Sequence, residues 1–246
     1  MVATPTDRDG PRVSLVVPAP LVSIVIPILR DASELEGLLA GLAADAAGDA
    51  VEVVVVSGDA TDRALDALRV RFPAVRWGTS PVGRGPQMNA GAAAAAGRWL
   101  LFVHADARLD PGWLDEIRAA DRRDDVVGGA FRFILDSSRR VARLIEWGVA
   151  TRVSWFALPY GDQALFVRRA VFEALDGYRA IPLMEDVDLI RRLGRRGSLW
   201  FSPVPARVSP RRWERDGWLR RSALNVMLVL LYFAGVSPEW LARRYY

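Results

Sequence analysis

The sequence predicts an α/β fold, a doubly wound, mostly parallel sheet with helices on both faces and a helical C-terminal segment. Runs of β-branched residues alternate with Ala- and Leu-rich segments along the first half of the chain, which is the pattern of strand–helix–strand units. Polar loops follow two of these runs directly, as at the ligand-binding edge of such sheets. With 246 residues, of which 51% are hydrophobic, the chain can form one large domain with a substantial core.

Four strand–helix units are predicted in the first half. The strands are residues 22–28, 51–56, 75–79 and 99–103. The helix starts are marked by the capping-box pair Ser33 and Glu36, by Thr61, by Pro86 and by the pair Asp110 and Pro111. We expect the first helix to continue to about residue 47 and the third to end at Gly97.

The second half has weaker periodicity. A strand is predicted at 126–135, a helix at 138–150, a strand at 163–167 with a helix after it, a helix at 185–196, and a last helix capped by Ser237 and Pro238. We divide the chain into an N-terminal extension (1–20), the α/β domain (21–206) and a basic, aromatic C-terminal segment (207–246). The apolar run 223–236 in that segment is too short to span a bilayer.

Composition excludes several classes of chemistry. The chain has no Cys, so disulfides, thiolate metal sites and Cys nucleophiles are excluded. All 33 basic residues are Arg, which also excludes Schiff-base chemistry. The C-terminal segment carries eight Arg against three acidic residues, which indicates either an anionic surface as partner or a solvated helix face. Without a signal-peptide pattern, we expect a cytoplasmic protein, or a peripheral one at the inner face of the membrane.

Two acidic motifs are candidates for chemistry. His104, the single histidine, and Asp106 follow a predicted strand with alternate spacing, so both face the same side. They predict either a Mn²⁺ or Mg²⁺ site or a structural turn. Glu185, Asp186 and Asp188 begin a predicted helix, where carboxylates either complement the helix dipole or provide a general base.

A third motif is a Gly-spaced helix entry at residues 83–89. Backbone N–H groups and Arg84 could bind phosphate there, although a plain Gly-rich turn has the same composition. The segment is not a G-x-G-x-x-G motif after the first strand, so it does not indicate a dinucleotide-binding site.

In combination, these segments resemble family 2 glycosyltransferases with the GT-A fold, in particular the compact bacterial subgroup whose genes accompany radical-SAM/selenodomain proteins. The matching segments are 22–27, 52–56 with Thr61 and Asp62, 83–91, 101–106, 161–163 with 166–169, 184–188 and 209–213. The resemblance covers nearly the whole chain after residue 21.

The resemblance implies transfer of a sugar from a nucleotide-diphosphate donor to an acceptor hydroxyl, with inversion. Asp106, with His104, would hold the divalent cation, Asp186 would be the catalytic base, and Glu185 would stand beside it. The implied donor-binding residues are Pro27, Ser57, Asp59, Arg84, Gln87, Asn89, His104 and Asp106. The implied acceptor-binding residues are Gly161, Asp162, Gln163, Arg211, Arg212 and Trp213.

Three residues depart from the family pattern. Ser57 stands where the family usually has Asp, Asp59 stands where it usually has Gly, and His104 replaces the first Asp of the D-x-D motif. Two other functions stay open. One is a catalytically silent nucleotide-sugar binder at a membrane surface, and the other is a sugar-phosphate nucleotidyltransferase. The acceptor would be small or lipid-linked, no nucleic-acid partner is expected, and a homodimer is left open.

Overall fold

The computed structural model describes residues 19–45 and 51–245. Most of the predicted N-terminal extension and the expected end of the first helix at residue 47 lie outside these ranges. The strands are β1 (Val22–Ile28), β2 (Val51–Ser57), β3 (Arg76–Thr79), β4 (Trp99–Phe102), β5 (Ala107–Leu109), β6 (Val126–Leu135), β7 (Leu165–Arg168) and β8 (Ser198–Val208). The predicted α/β architecture is confirmed.

The strands form one sheet in the order β3-β2-β1-β4-β7-β6-β8-β5. The half made of β3, β2, β1 and β4 is parallel throughout. Strand β7 is antiparallel to both of its neighbours, β5 is antiparallel to β8, and β6 and β8 are parallel. The sheet is therefore mostly parallel, as predicted, and its second half is mixed.

Two strands were missed because their sequences lack a strand pattern. β5 has only three residues, and β8 contains Pro203 and Pro205. The pairing of β8 with β6 shifts register between Phe201 and Pro205, so the prolines lie at a bulge, where a missing N–H costs no ladder hydrogen bond. The boundary proposed between residues 206 and 207 lies inside β8.

The helices are α1 (Ala32–Asp45), α2 (Asp66–Arg71), α3 (Arg84–Ala94), α4 (Trp113–Asp121), α5 (Arg140–Phe156), α6 (Arg169–Ala174), α7 (Glu185–Leu193), α8 (Arg211–Asp216), α9 (Trp218–Phe233) and α10 (Pro238–Tyr245). Helix α5 starts two residues after its predicted start and ends six residues beyond its predicted end, and α3 starts two residues before Pro86. Asp62, not Thr61, provides the cap before α2, by accepting a hydrogen bond from the Ala64 N–H in a short 3₁₀ turn.

Helices cover both faces of the sheet because alternate residues of β1 face opposite sides. Ile24 and Ile26 pack in a core with α1 and α4. Val25 packs in a second core with α3, α7, α9 and α10. The C-terminal helices thus belong partly to the core, through Leu228, Val229 and Leu241, among others. Among the described residues, no helix has the length and apolarity needed to cross a bilayer.

Candidate active site

A cavity of about 700 Å³ opens beyond the carboxyl ends of β1 and β4. Its walls come from the end of β1, the start of α3, the segment after β4, the loop before α7, and α8. The side chains that matter below are Pro27, Arg84, Gln87, His104, Asp106, Glu185 and Arg212. In an open α/β sheet this edge is where ligands bind, because the loops between strands and helices meet there.

His104 and Asp106 enter this cavity because β4 ends at Phe102 and the chain turns directly afterwards. The Asp106 carbonyl accepts a hydrogen bond from the Ser209 N–H at 3.0 Å, which ties the turn to the end of β8. An Arg212 guanidinium nitrogen lies 3.9 Å from Asp106 Oδ2. The two predicted cation ligands therefore share one cavity with a positive charge.

Asp186 is held in place by two backbone N–H groups. Its Oδ1 accepts a hydrogen bond from the Val187 N–H at 2.7 Å, and its Oδ2 accepts one from the Gly161 N–H at 2.5 Å. Met184, just before α7, has a φ of 68°, a strained value for a residue with a Cβ. This strained entry and the two hydrogen bonds fix the direction of the carboxyl group.

Gly161 joins the two acidic motifs. A Cβ added at Gly161 would lie 3.1 Å from Asp186 Oδ2 and 3.5 Å from His104 Cε1. A second, smaller cavity of about 90 Å³ lies here, lined by Arg84, His104 and Asp186, among others. The structure thus brings the segment after β4, the turn at Gly161 and the start of α7 to one point.

Two further carboxyl groups near Asp186 hold protons more tightly than usual. Burial, with the charge of Asp186 as the second cause, raises the pKa of Glu185 to about 7, and Arg84 opposes the shift. Burial likewise raises the pKa of Asp162 to about 6. Within the described residues, the buried Oδ1 of Asp162 has no hydrogen-bond partner. These two groups can ionise near neutral pH, as active-site carboxyls often do.

Glu185→Gln is expected to flatten the pH dependence of stability. The pKa of Glu185 is about 7 in the folded chain against an ordinary 4.5, so the wild type binds an extra proton when folded and loses stability as pH rises from about 4.5 to 7. Gln cannot ionise, so the variant should avoid a loss of stability on the order of 3 kcal/mol at pH 8.

The measurement is the melting temperature of both proteins between pH 4.5 and 8. Exposed Glu173 provides the matched control, and Glu173→Gln should retain the wild-type slope. An equal slope in the Glu185→Gln variant would show that burial does not raise the pKa of Glu185.

The residues at the cavity fit a cation that is shared with a diphosphate. Within residues 19–45 and 51–245 there is no group of three or more acidic or imidazole ligands. His104 and Asp106 provide two ligands of suitable type. Burial, and then the charges of Arg84 and Arg212, hold the pKa of His104 well below its usual value, so the imidazole is neutral and can bind a metal. Mg²⁺ and Mn²⁺ sites of this kind complete their shell with phosphate oxygens and water.

Two of the implied donor-binding residues bond to the backbone. The Gln87 amide is buried and donates to the carbonyls of Ile28 and Val56 at 2.8 and 2.9 Å, so it joins the ends of β1 and β2. Asn89 donates to the Tyr178 carbonyl at 2.8 Å and accepts from the Tyr178 N–H at 2.9 Å. Gln87 lines the large cavity, and Asn89 positions the segment that leads to α7.

Asn89→Ala is expected to lower stability by about 1–3 kcal/mol, because it leaves both backbone groups of Tyr178 without their partner. Thermal unfolding measures the loss. Asn225, the chain's other Asn, is the matched control, and Asn225→Ala should change the melting temperature less. Equal melting temperatures for Asn89→Ala and the wild type would contradict this structural role.

The side chains of Ser57 and Asp59 form hydrogen bonds within their own loop. The Ser57 hydroxyl donates to the Asp59 carbonyl at 2.8 Å and accepts from the Asp59 N–H at 3.0 Å. Asp59 Oδ1 accepts from the Thr61 hydroxyl and N–H, and these hydrogen bonds lower the pKa of Asp59. Neither side chain lines the two cavities described above, so their contact with a nucleobase remains a prediction.

The implied acceptor-binding residues separate into two groups. Asp162 and Arg212 line the small cavity. Gln163 donates to the Phe131 carbonyl and accepts from Arg152, Arg211 forms an ion pair with Glu34, and Trp213 is buried and donates to the Ser222 hydroxyl. The second group supports the walls of the site.

Sequence reasoning missed three polar side chains of the small cavity, namely Tyr160, Asn225 and Tyr245. Tyr160 comes directly before the Gly161 turn, so its position in the sequence was a usable signal. Asn225 interrupts the apolar run 223–236, which is a weaker one. Tyr245 is brought in by the packing of α10, and no local pattern indicates it.

Comparison with known proteins decides the family. Residues 23–181 match the family model described as glycosyl transferase family 2. The chain belongs to this family. The matched range contains the Gly-spaced segment 83–89 and the pair His104 and Asp106, and it ends before Glu185. The motif at the start of α7 therefore rests on the geometry above.

Curated relatives include a PGL/p-HBAD biosynthesis glycosyltransferase from Mycobacterium bovis and one of the same description from Mycobacterium tuberculosis. Each is 36% identical to this chain over 171 residues, which are 65% of this chain and 64% of the relative. The match therefore spans less than two thirds of the relatives' length.

Solved structures support the GT-A fold. TarS from S. aureus, in complex with UDP-GlcNAc, has a TM-score of 0.59 and 16% identity over 76% of this chain and 58% of its own. The mannosyltransferase PcManGT from Pyrobaculum calidifontis, in complex with GDP-Man and Mn²⁺, has a TM-score of 0.58 and 19% identity over 78% of this chain and 57% of its own. The fold inferred by resemblance is confirmed.

Proposed function

We propose that this family 2 member transfers a sugar from a nucleotide-diphosphate donor to an acceptor hydroxyl, with inversion. The observation that carries the proposal is the convergence of His104 and Asp186 around Gly161, beside a cavity that also contains Asp106. A cation-binding pair and a fixed carboxylate are the two parts that such a transfer needs.

The large cavity would hold the donor. Its volume of about 700 Å³ is within the range of nucleotide-sized ligands. Arg84 and Arg212 line it, and their guanidinium groups suit a diphosphate. UDP-GlcNAc and GDP-Man are bound in the two structural neighbours, which supports a nucleotide-sugar donor. Sugar and nucleobase stay open, since Ser57 and Asp59 hydrogen-bond within their own loop.

A divalent cation, Mn²⁺ or Mg²⁺, would be held by Asp106 and His104. When bound, it would offset the charge that develops on the departing diphosphate. Arg84 and Arg212 add positive charge to the same wall, so the chain's own residues would share this task.

Asp186 would be the catalytic base. Its carboxylate, directed by the Gly161 and Val187 N–H groups, takes the proton from the acceptor hydroxyl. That oxygen then forms a bond to the anomeric carbon while the bond from this carbon to the diphosphate oxygen breaks. The nucleoside diphosphate leaves with the electron pair, and the configuration at carbon is inverted in a single displacement.

The acceptor would enter the small cavity. Its walls offer the Tyr160 ring, the Asp162 carboxyl and Asn225, with Leu228 and Val229 of α9 as apolar neighbours. Asp162 is partly exposed and lines this cavity, so its carboxyl group is suited to form a hydrogen bond with an acceptor hydroxyl. A small or a lipid-linked acceptor fits this mixed wall.

A donor panel tests the proposal. UDP-, GDP- and dTDP-sugars are each added with Mn²⁺, and the shift in melting temperature is recorded. A ligand at 100 times its dissociation constant stabilises the fold by about 2.7 kcal/mol, so one donor should raise the melting temperature by several degrees. No shift with any of the three at millimolar concentration would contradict the proposal.

A further inference from the structure

Large apolar side chains are exposed on two neighbouring helices. Among the described residues, nine of the thirteen large hydrophobic residues that are exposed lie on α5 and α9. They are Leu144, Trp147, Trp155, Phe156, Leu219, Val226, Met227, Leu230 and Phe233. Exposure reaches 67% for Trp147 and 76% for Trp155. A patch of this kind on a protein surface marks an interaction site.

Helix α9 has one exposed apolar face and one face that packs inward. Leu219, Val226, Leu230 and Phe233 recur at spacings of seven, four and three residues, so they form one stripe along the helix. The other face packs inward, where Leu228 and Val229 line the small cavity with Asn225. A single helix therefore separates the acceptor side of the proposed active site from the exposed stripe.

Helix α5 extends this surface. Its inner side, with Ala142 and Ile145, packs with Trp213 and Trp218 in a small core that joins it to α8 and α9. The guanidinium of Arg139, which precedes α5, lies 5.9 Å from the centre of the Trp218 ring at the start of α9. The start of α9 is thus held against α5.

The exposed charges on these helices have one sign. Arg140 and Arg143 of α5 and Arg220 of α9 are exposed. Glu146, the one acidic residue in either helix, is mostly buried, accepts a hydrogen bond from the Leu135 N–H and pairs with Arg143 at 2.9 Å. The charges of Arg140 and Arg220 have no acidic partner on these helices. The exposed apolar residues and these three arginines are called the docking face below.

We infer that the docking face binds the anionic surface of a lipid bilayer, with α5 and α9 lying in the headgroup region. Exposed Trp side chains beside Arg and an apolar stripe are what interfacial helices require, and the Arg charges complement anionic lipid. A symmetric dimer through this face would bring the same arginines of two copies together, which disfavours a second copy as the occupant.

The docking face also indicates which class of acceptor the enzyme uses, and this step rests on the proposed function. Because α9 carries both the docking face and a wall of the small cavity, docking would bring the cavity beside the lipid headgroups. A lipid-linked acceptor could then present its hydroxyl to Asp186 without leaving the bilayer. The structure favours this acceptor class over a freely dissolved one.

Vesicle flotation of the full chain tests the inference, without donor or acceptor. The protein is mixed with vesicles of phosphatidylcholine alone or with 30% phosphatidylglycerol. We expect flotation with the anionic vesicles, reduced by salt. Arg140→Gln with Arg220→Gln should weaken the partition coefficient about 30-fold, since each Arg near an anionic surface contributes about fivefold. Trp147→Gln with Trp155→Gln should weaken it by at least about tenfold.

The matched controls are Val70→Gln and Arg63→Gln, which change an exposed apolar and an exposed basic residue outside the docking face. Both should float like the wild type. Absence of flotation with either vesicle type, or wild-type flotation of the Trp147 and Trp155 double variant, would overturn the inference. So would sedimentation showing a dimer that this double variant dissociates.

Membrane binding and donor binding are measured separately, by flotation and by thermal shift. Donor-induced thermal shifts of the docking-face variants should equal those of the wild type, because none of these residues lines either cavity. If the wild type does not float but still shows the donor-induced shift, the result counts against the docking face alone.

Discussion

Asp186→Asn is expected to lower turnover by about 10²–10⁴-fold, the usual range for a lost general base, while donor binding is retained. An amide cannot take the proton from the acceptor hydroxyl. The substitution is nearly isosteric, and the amide oxygen can still accept one of the two hydrogen bonds that the carboxylate receives from Gly161 and Val187. The fold and the donor cavity should therefore persist.

Asp188→Asn is the matched control for this variant. Asp188 lies on the same helix, but it is buried against Arg179 and Arg192, with distances of 3.1 and 2.7 Å. This variant should lose stability by about 1–3 kcal/mol and keep its turnover per folded molecule. Full turnover in Asp186→Asn together with a collapse in Asp188→Asn would reverse the assignment of the base.

Asp106→Asn is expected to remove the cation dependence of donor binding. A neutral amide is a poor partner for Mn²⁺, so donor affinity in the presence of Mn²⁺ should fall by at least about 100-fold. Arg212, 3.9 Å from Asp106 in the wild type, loses its counter-charge and can still attract the diphosphate. The quantity to measure is therefore the ratio of donor affinities with and without Mn²⁺, which should approach one.

Asp110→Asn provides the comparison for this second substitution. Asp110 follows β5 and pairs with Arg207 at 2.6 Å, outside the cavity. Its variant should keep the wild-type ratio of affinities. A wild-type ratio in Asp106→Asn would instead remove Asp106 from the cation site.

The sequence predicts the parallel half of the sheet well, because β1, β2 and β4 are mostly apolar runs that are largely buried on both faces. It predicts β8 poorly. Pro203 and Pro205 argue against a strand unless the bulge against β6 is known, and a bulge is set by pairing with a partner strand. Antiparallel β7 likewise has the composition of a parallel strand, since direction depends on connections and not on residue type.

The candidate site could be predicted from the sequence where a motif lies at a strand end or a helix start. His104 and Asp106 had to follow the carboxyl end of a strand, although a turn after Phe102 and not strand alternation places them in the cavity, and Glu185 and Asp186 had to begin a helix. Roles that depend on tertiary hydrogen bonds could not be predicted from the sequence. Nothing in the sequence indicates that the Asn89 amide binds the Tyr178 backbone or that Tyr245 reaches the small cavity from α10.

The identity of the released phosphorus compound tests the central claim most directly. The full chain is incubated with Mn²⁺ and a nucleotide-sugar donor, and the slow transfer to water is followed by ³¹P NMR. The account predicts nucleoside diphosphate as the product with the wild type, and little of it with Asp186→Asn. Release of pyrophosphate would indicate nucleotidyl transfer, and a bound but unchanged donor would indicate a silent binding protein; either result would contradict glycosyl transfer.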